Sequence, residues 1–283
     1  MIIDSHQHYW SIGRDDYGWL TPATGVLYRN YAPADLKPQL AEHGVAKTII
    51  VQAAPTTAET EYMLGLADAD STVAGVVGWL DLEADDFVDQ LDRYTRHPLF
   101  VGFRPMIQDL PTEWMLQDRV MANLTIVADR GVPLDLQANL RHLPVILQVL
   151  ERIPHLWAVI DHLAKPDIAG QNLHPWKEQM SEIARYAGIM NKLSGMVPGR
   201  AGQSWSPADF KPFTDHLLEA FGTDRVMFGS DWPVCRLSAE YDEVFFALQA
   251  VLPDSLTEQQ KAAIFGGNAA VFYKLHEQGR LQR

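Results

Sequence analysis

Short apolar runs alternate with amphipathic stretches along the whole chain. The runs are IIDSHQH from residue 2, KTIIVQAA from 47, VAGVVGWL from 73, FVGFRP from 100, VPLDLQA from 132, LWAVIDH from 156, GIMNKLSG from 188 and RVMFGSDWP from 225. They are β-branched and apolar on both faces, as strands of a parallel sheet covered on both sides should be. Helical signals fill the gaps. Leu36 and Leu40 repeat at helical spacing within Pro33 to His43, which stops at Gly44. Thr56 and Glu59 form a capping-box pattern ahead of Tyr62, Leu64 and Leu66. Asp81 is placed to cap the stretch carrying Phe87, Leu91 and Tyr94. Leu116 to Arg130, His174 to Ala187 and Pro207 to Phe221 stop at Gly131, Gly188 and Gly222, where a helix end calls for a left-handed residue. Leu140 to Arg152 reads as a further helix with Pro144 in its first turn.

Eight β–α pairs in 283 residues predict a (β/α)8 barrel, one domain over residues 1–283, with its site at the C-terminal ends of the strands. A doubly wound α/β sheet is the alternative. Against it, no glycine-rich phosphate loop follows the first strand. The loops after helices are short. Those after strands are long at 9–32, 105–115, 163–175, 195–206 and 232–239. The first holds Tyr9, Trp10, Tyr17, Trp19, Tyr28 and Tyr31, so it either packs over the barrel mouth or walls a substrate pocket, or does both.

Charge and composition narrow the partners. A net charge of -13 gives no electrostatic footprint for nucleic acid or an anionic membrane. No run approaches the apolar length of a membrane span, and no basic segment precedes an apolar one at the N-terminus. Cys235 is the single cysteine, so an intramolecular disulfide is excluded. The expectation is a cytoplasmic protein acting on a small molecule, its oligomeric state, monomer or homo-oligomer, left open.

The strand ends carry the candidate chemistry. His6 and His8, two apart on a strand, point to one side and can share a metal or hold an acyl group. Asp4 is expected deeper on the same face as their support. His162 closes the sixth run and Asp231 the eighth. In a closed barrel strand eight lies beside strand one, which brings Asp231 to the two histidines. A carboxylate facing imidazoles stays ionised and can take a proton from water, so Asp231 is the natural general base. Arg104 ends strand four and can hold a substrate oxygen, or else form a structural salt bridge. Lys192, Ser194, Gln137 and Gln52 are polar at other strand ends, as a polar pocket requires. Cys235 has no evident base partner and reads as a bystander.

IIDSHQHYW, VGFRP, VIDHLAKPDI, NKLSG, FGSDWPVC and AIFGGNAAVFY, in this order, resemble the amidohydrolase superfamily over almost the whole chain. The pairing of DHLAKP with GSDWP is similar to the amidohydrolase-2 branch of L-fuconolactonase and L-rhamnonolactonase-like sugar lactone hydrolases and the related pyrone-dicarboxylate lactonases. The resemblance implies a (β/α)8 barrel with His6, His8, His162 and Asp231 at its centre. Arg104 and Gln137 stand where binuclear members carry bridging and histidine ligands, so a two-metal site lacks its ligands. What remains is one divalent metal, zinc first, on His6, His8, Asp231 and His162, or no metal at all.

The implied reaction is hydrolysis of a sugar-acid lactone by water activated on Asp231, with His162 and Arg104 stabilising the oxyanion. Arg104, Lys192, Gln137, Trp10 and Trp232 are the expected substrate contacts. The rivals are a metal-dependent decarboxylase, an amide or other ester hydrolase, and a non-catalytic barrel binding a sugar acid. An intact set of base and histidines argues against the last, which has no need of a base.

Overall fold

A computed structural model describes residues 1–197, 204–276, 279 and 281. Eight parallel strands run in chain order: β1 (Ile2–Gln7), β2 (Val45–Val51), β3 (Val73–Gly78), β4 (Phe100–Phe103), β5 (Leu134–Leu136), β6 (Ala158–Ile160), β7 (Ile189–Leu193) and β8 (Val226–Phe228). Every apolar run of the sequence supplies one of them. The ring closes just above β8, where the His8 N–H donates to the Trp232 carbonyl at 2.7 Å and the Asp231 N–H to the His6 carbonyl at 2.8 Å. The barrel, not the open sheet, is the fold.

One helix follows each strand: α1 (Pro33–Glu42), α2 (Thr57–Ala69), α3 (Phe87–Thr95), α4 (Asp118–Asp129), α5 (Leu143–Arg152), α6 (Trp176–Ile183), α7 (Pro207–Phe221) and α8 (Tyr241–Val251). Two short helices, α9 (Glu258–Ala262) and α10 (Asn268–Phe272), follow α8 among the described residues. α7 keeps the bounds its pattern predicts, and Pro144 lies in the first turn of α5, where its missing N–H has no intrahelical partner to lose. Asp81 does not cap α3. It takes the Glu83 N–H in a separate turn, and α3 starts only at Phe87. Gly44, Gly131 and Gly222 are left-handed as expected; Gly188 is not, and sits instead against the Leu156 carbonyl.

The capping box of α2 is half present. Thr56 accepts the Glu59 N–H, but the Glu59 carboxylate turns away and takes the N–H groups of Ala53 and Ala54 at 2.7–3.0 Å. Burial pushes that carboxyl up to about 8, against the lowering effect of those two N–H bonds and Tyr17.

Two apolar layers hold the barrel. The outer one lies between strands and helices. The inner one fills the barrel base with Ile3, Ile49, Val101, Val159, Met190 and Met227, and Phe272 at the end of α10, with Tyr273 and Leu275 just after it, closes it. Sealing the base leaves only the C-terminal mouth for a site.

Candidate active site

β1 brings the two histidines to the mouth. Its pairing with β2 slips between Asp4 and Gln7, and such a bulge re-aims side chains beside a site. The His6 and His8 rings come within 4.9 Å of each other, and His162 within 4.5 Å of His6. Asp231 sits among all three: its Oδ1 is 3.3 Å from His8 Nε2, 3.8 Å from His6 Nε2 and 4.0 Å from His162 Nε2. The four residues predicted as the centre are thus assembled.

Asp4 supports the cluster through the backbone rather than through the imidazoles. Its Oδ1 accepts the N–H groups of His6 (3.1 Å) and Ser230 (2.9 Å), which stitches the β1–β8 seam.

His162 is not the last residue of a strand, as its apolar run suggests. β6 ends at Ile160, and His162, Leu163, Ala164 and Lys165 all take left-handed backbone, with φ of 54, 57, 57 and 51°. Such a run is strained for L-residues and persists only where surroundings fix it. Trp176 Nε1–H donates to the Leu163 carbonyl at 2.6 Å, Leu163 and Ala164 are buried, and the His162 Nδ1 lies 2.9 Å from Ser194 Oγ. Gly195, at φ 56°, leaves the room: a Cβ there would lie 2.5 Å from His162 Nδ1. Asp231 is left-handed as well.

Burial removes charge from two of the imidazoles. It pushes His6 well below its ordinary value, with Lys192 and His162 helping and Asp161 opposing. It pushes His162 down to about 4, with Asp231 and Asp161 opposing. Burial alone would raise Asp231, but the surrounding imidazoles, His162 first, outweigh it and hold the carboxylate below its usual range.

The donor set fits one divalent metal. The Val51 carbonyl, 2.7 Å from His8 Nδ1, can only accept, so His8 carries its proton there. Its Nε2 lone pair then faces a carboxylate oxygen at 3.3 Å, and a cation or a proton must stand between them. At His6 the guanidinium of Arg104, a donor only, lies 3.4 Å from Nε2, and Asp161 Oδ1 lies 3.4 Å from Nδ1. The Lys192 ammonium, likewise a donor only, lies 3.2 Å from His6 Nδ1, so cationic donors approach both ring nitrogens of His6. Nδ1–H on a carbonyl with Nε2 turned inward, as at His8, is the arrangement of metal-bound histidine. Ligating atoms of His6, His8 and Asp231 lie within 4.8 Å of one another, as do those of His6, Asp161 and His162.

Above this centre opens a cavity of about 1040 Å³. His8, His162, Asp231, Arg104 and Gln137 line it, as the sequence reading places them. Three expected substrate contacts do not. Lys192 is fully buried beneath His6, between Asp135 and Asp161. Trp10 is buried with its indole N–H on the Arg29 carbonyl, and Trp232 is wedged edge-on between Tyr9 and Tyr31. Both brace the aromatic loop from behind. The aromatic walls are instead Trp19, its N–H on the Ala53 carbonyl at 2.8 Å, and Trp205, its N–H on the Ser238 carbonyl at 3.0 Å. Loop 9–32 thus packs over the mouth and also walls the pocket. Loop 195–206 lies partly outside the described residues. Cys235 lines the cavity too, and burial pushes its thiol well up, so it stays unreactive.

The residue that sequence reasoning undervalued is Asp161. It is fully buried and touches His6, Arg104 and Lys192 together. Its signal is its place directly before His162, masked because the apolar run extends two residues past the end of β6 at Ile160.

The fold and site define a (β/α)8 hydrolase built on a cluster of three histidines and one aspartate. Residues 3–275 match the model of the family described as Amidohydrolase, and the chain belongs to that family. It is 36% identical over 277 residues to the L-fucono-1,5-lactonase of Burkholderia ambifaria, covering 96% of this chain and 95% of that protein. It is 34% identical over 294 residues to the L-fucono-1,5-lactonase of Burkholderia multivorans, covering 97% and 96%. The crystal structure of an amidohydrolase from Burkholderia multivorans with bound zinc matches with a TM-score of 0.90 at 32% identity, over 97% of this chain and 99% of that one. Among the described residues no helix is long and apolar enough to cross a membrane.

Proposed function

We propose that the protein hydrolyses a sugar-acid lactone, L-fucono-1,5-lactone first, to the open-chain acid. The observation that carries this is the convergence of Asp231 with His6, His8 and His162 at the floor of a large cavity, in a chain this similar to L-fucono-1,5-lactonases over nearly its whole length.

Asp231 is the general base. Its carboxylate is ionised at neutral pH, and it accepts a proton from water as the water oxygen bonds to the lactone carbonyl carbon. His162 is neutral. With Ser194 donating to Nδ1, its Nε2–H points into the cavity toward the oxygen that becomes negative. Arg104 stands at the cavity floor, adding fixed positive charge there while Asp161 and the Gln52 carbonyl hold its guanidinium. The ring C–O bond then breaks, and the proton on Asp231 passes to the departing ring oxygen, giving a hydroxyl and a carboxylic acid. Trp19 and Trp205 offer apolar faces to the sugar ring, and Gln137 a hydrogen-bonding amide. His6 Nε2, His8 Nε2 and Asp231 Oδ1, with His162 beside them, would hold one divalent ion, zinc first. When bound it supplies Lewis-acid polarisation and a more acidic water.

The test is Asp231→Asn assayed for acid release from L-fucono-1,5-lactone. Turnover should fall by roughly 10³-fold, within the range of a lost general base, with an unchanged circular dichroism spectrum. A variant within a few-fold of the parent would remove Asp231 as the base.

A further inference from the structure

The charges that line the cavity are unevenly matched. Among the described residues, Asp109, Asp167, Asp209 and Asp231 are its carboxylates, and Arg104 and Lys165 its lysine and arginine cations. Arg104 is only 2% exposed, and its terminal nitrogens are taken up by Asp161, His6 and the Gln52 carbonyl. Lys165 is open to the cavity and pairs with no carboxylate among the described residues. Its ammonium donates instead to the side-chain carbonyl of Gln108, a neutral group. Gln108 is itself anchored, because Arg141 donates to its backbone carbonyl at 2.9 Å and to that of Leu110 at 3.2 Å. An ammonium has three hydrogens to donate, so two remain for a ligand.

The backbone fixes where that charge stands. Lys165 ends the left-handed turn that begins at His162, with its own N–H on the His162 carbonyl at 2.7 Å. The strained turn that carries the His162 imidazole therefore also carries Lys165 into the cavity wall. Asp231 and Arg104 at the floor are the first charges to act on its ammonium.

A neutral sugar lactone carries no charge, and its hydrolysis creates one. The open-chain acid loses its proton at neutral pH, and its carboxylate forms beside Asp231, which is ionised too. Like charges repel strongly in a site partly shut from water. The other carboxylates of the wall repel the anion as well. An ammonium with no counter-charge attracts it. Opening of the ring frees the chain to turn its carboxylate away from Asp231 and toward Lys165.

We propose that Lys165 is the binding point for the carboxylate of the open-chain product, a subsite for an aldonate anion apart from the groups that attack the ring. That this anion is the product rests on the lactone-hydrolase reading; the affinity of Lys165 for it does not.

The experiment is calorimetric titration of the full chain with L-fuconate, beside L-fucitol, which has the same hydroxyls and a primary alcohol in place of the carboxylate. Affinity for L-fuconate should fall roughly tenfold in Lys165→Met, about what a hydrogen bond to a charged group is worth. Lys165→Arg, which keeps the charge, should stay within a few-fold of the parent. L-Fucitol should bind the parent and Lys165→Met alike. Added salt should weaken L-fuconate binding to the parent and not to Lys165→Met. Equal L-fuconate affinity in the parent and Lys165→Met would overturn the proposal, as would a parent that does not bind L-fuconate. So would an equal loss for L-fucitol, which would mark a hydroxyl contact or a damaged fold as the cause. A fall in Lys165→Arg as deep as in Lys165→Met would overturn it too, since charge would then not be what binds. Any of these results in a parent that opens L-fucono-1,5-lactone would leave the lactone reading standing. Lys165-dependent binding of L-fuconate in a parent that does not open the lactone would uphold the subsite and overturn the lactone reading instead.

Discussion

His8 Nε2 faces Asp231 Oδ1 at 3.3 Å while the Val51 carbonyl holds the proton of His8 on the opposite nitrogen. Two lone pairs aimed at each other mark the place of a positive charge. We expect the purified protein to carry one divalent ion per chain, and His8→Ala and Asp231→Asn each to lose most of it. Elemental analysis after dialysis reads this directly. Metal content equal in all three proteins would place the ion elsewhere.

Gly195 predicts a steric sensitivity. Its left-handed backbone and the 2.5 Å approach of a built Cβ to His162 Nδ1 leave no room for a side chain. Gly195→Ala should push His162 off Ser194 and lower kcat by about tenfold or more, since small misplacements of catalytic groups are costly. Full activity in that variant would show that the position of His162 is uncritical.

The tryptophans separate binding from folding. Trp19 presents its face to the cavity, so Trp19→Ala should raise KM several-fold, about what a stacking contact is worth, and change kcat little. Trp10 touches Tyr17, Trp19 and Tyr31 inside the loop. Trp10→Phe should lower the melting temperature by about 3 °C or more while KM stays near the parent value. The reverse pattern would restore Trp10 as a substrate contact.

Much of this organisation was legible beforehand. Eight apolar runs marked eight strands because a parallel sheet covered by helices needs apolar residues on both faces. Closure of such a ring then dictated that Asp231 meets His6 and His8. The turn carrying His162 is not legible: four consecutive left-handed residues without a glycine contradict local preference, and tertiary contacts, among them those of Trp176 and Ser194, hold them. Trp10, Trp232 and Lys192 were misjudged for a related reason. Position at a strand end says that a residue is near the mouth, not whether it faces the cavity or the layer behind it.

Glu59 predicts how stability varies with pH. Burial holds its carboxyl up at about 8 in the folded protein, far above the ordinary 4.5. The folded state therefore binds the extra proton, and this contribution is fully present below the unfolded value and lost as pH rises through the folded one. Glu59→Gln, which keeps an oxygen for the Ala53 and Ala54 N–H groups, should gain on the parent in melting temperature from pH 5 upward, levelling off past pH ~8. A constant difference across that window would mean that Glu59 is ionised throughout.

The seam between β1 and β8 gives the molecule a check on its own completeness. His8 and Asp231 lie 223 positions apart in the chain, and they meet only when the last strand docks on the first. A chain still being synthesised, or one cut short before β8, holds its histidines but not Asp231. If Asp231 is the base proposed above, hydrolysis waits on the final closing of the ring.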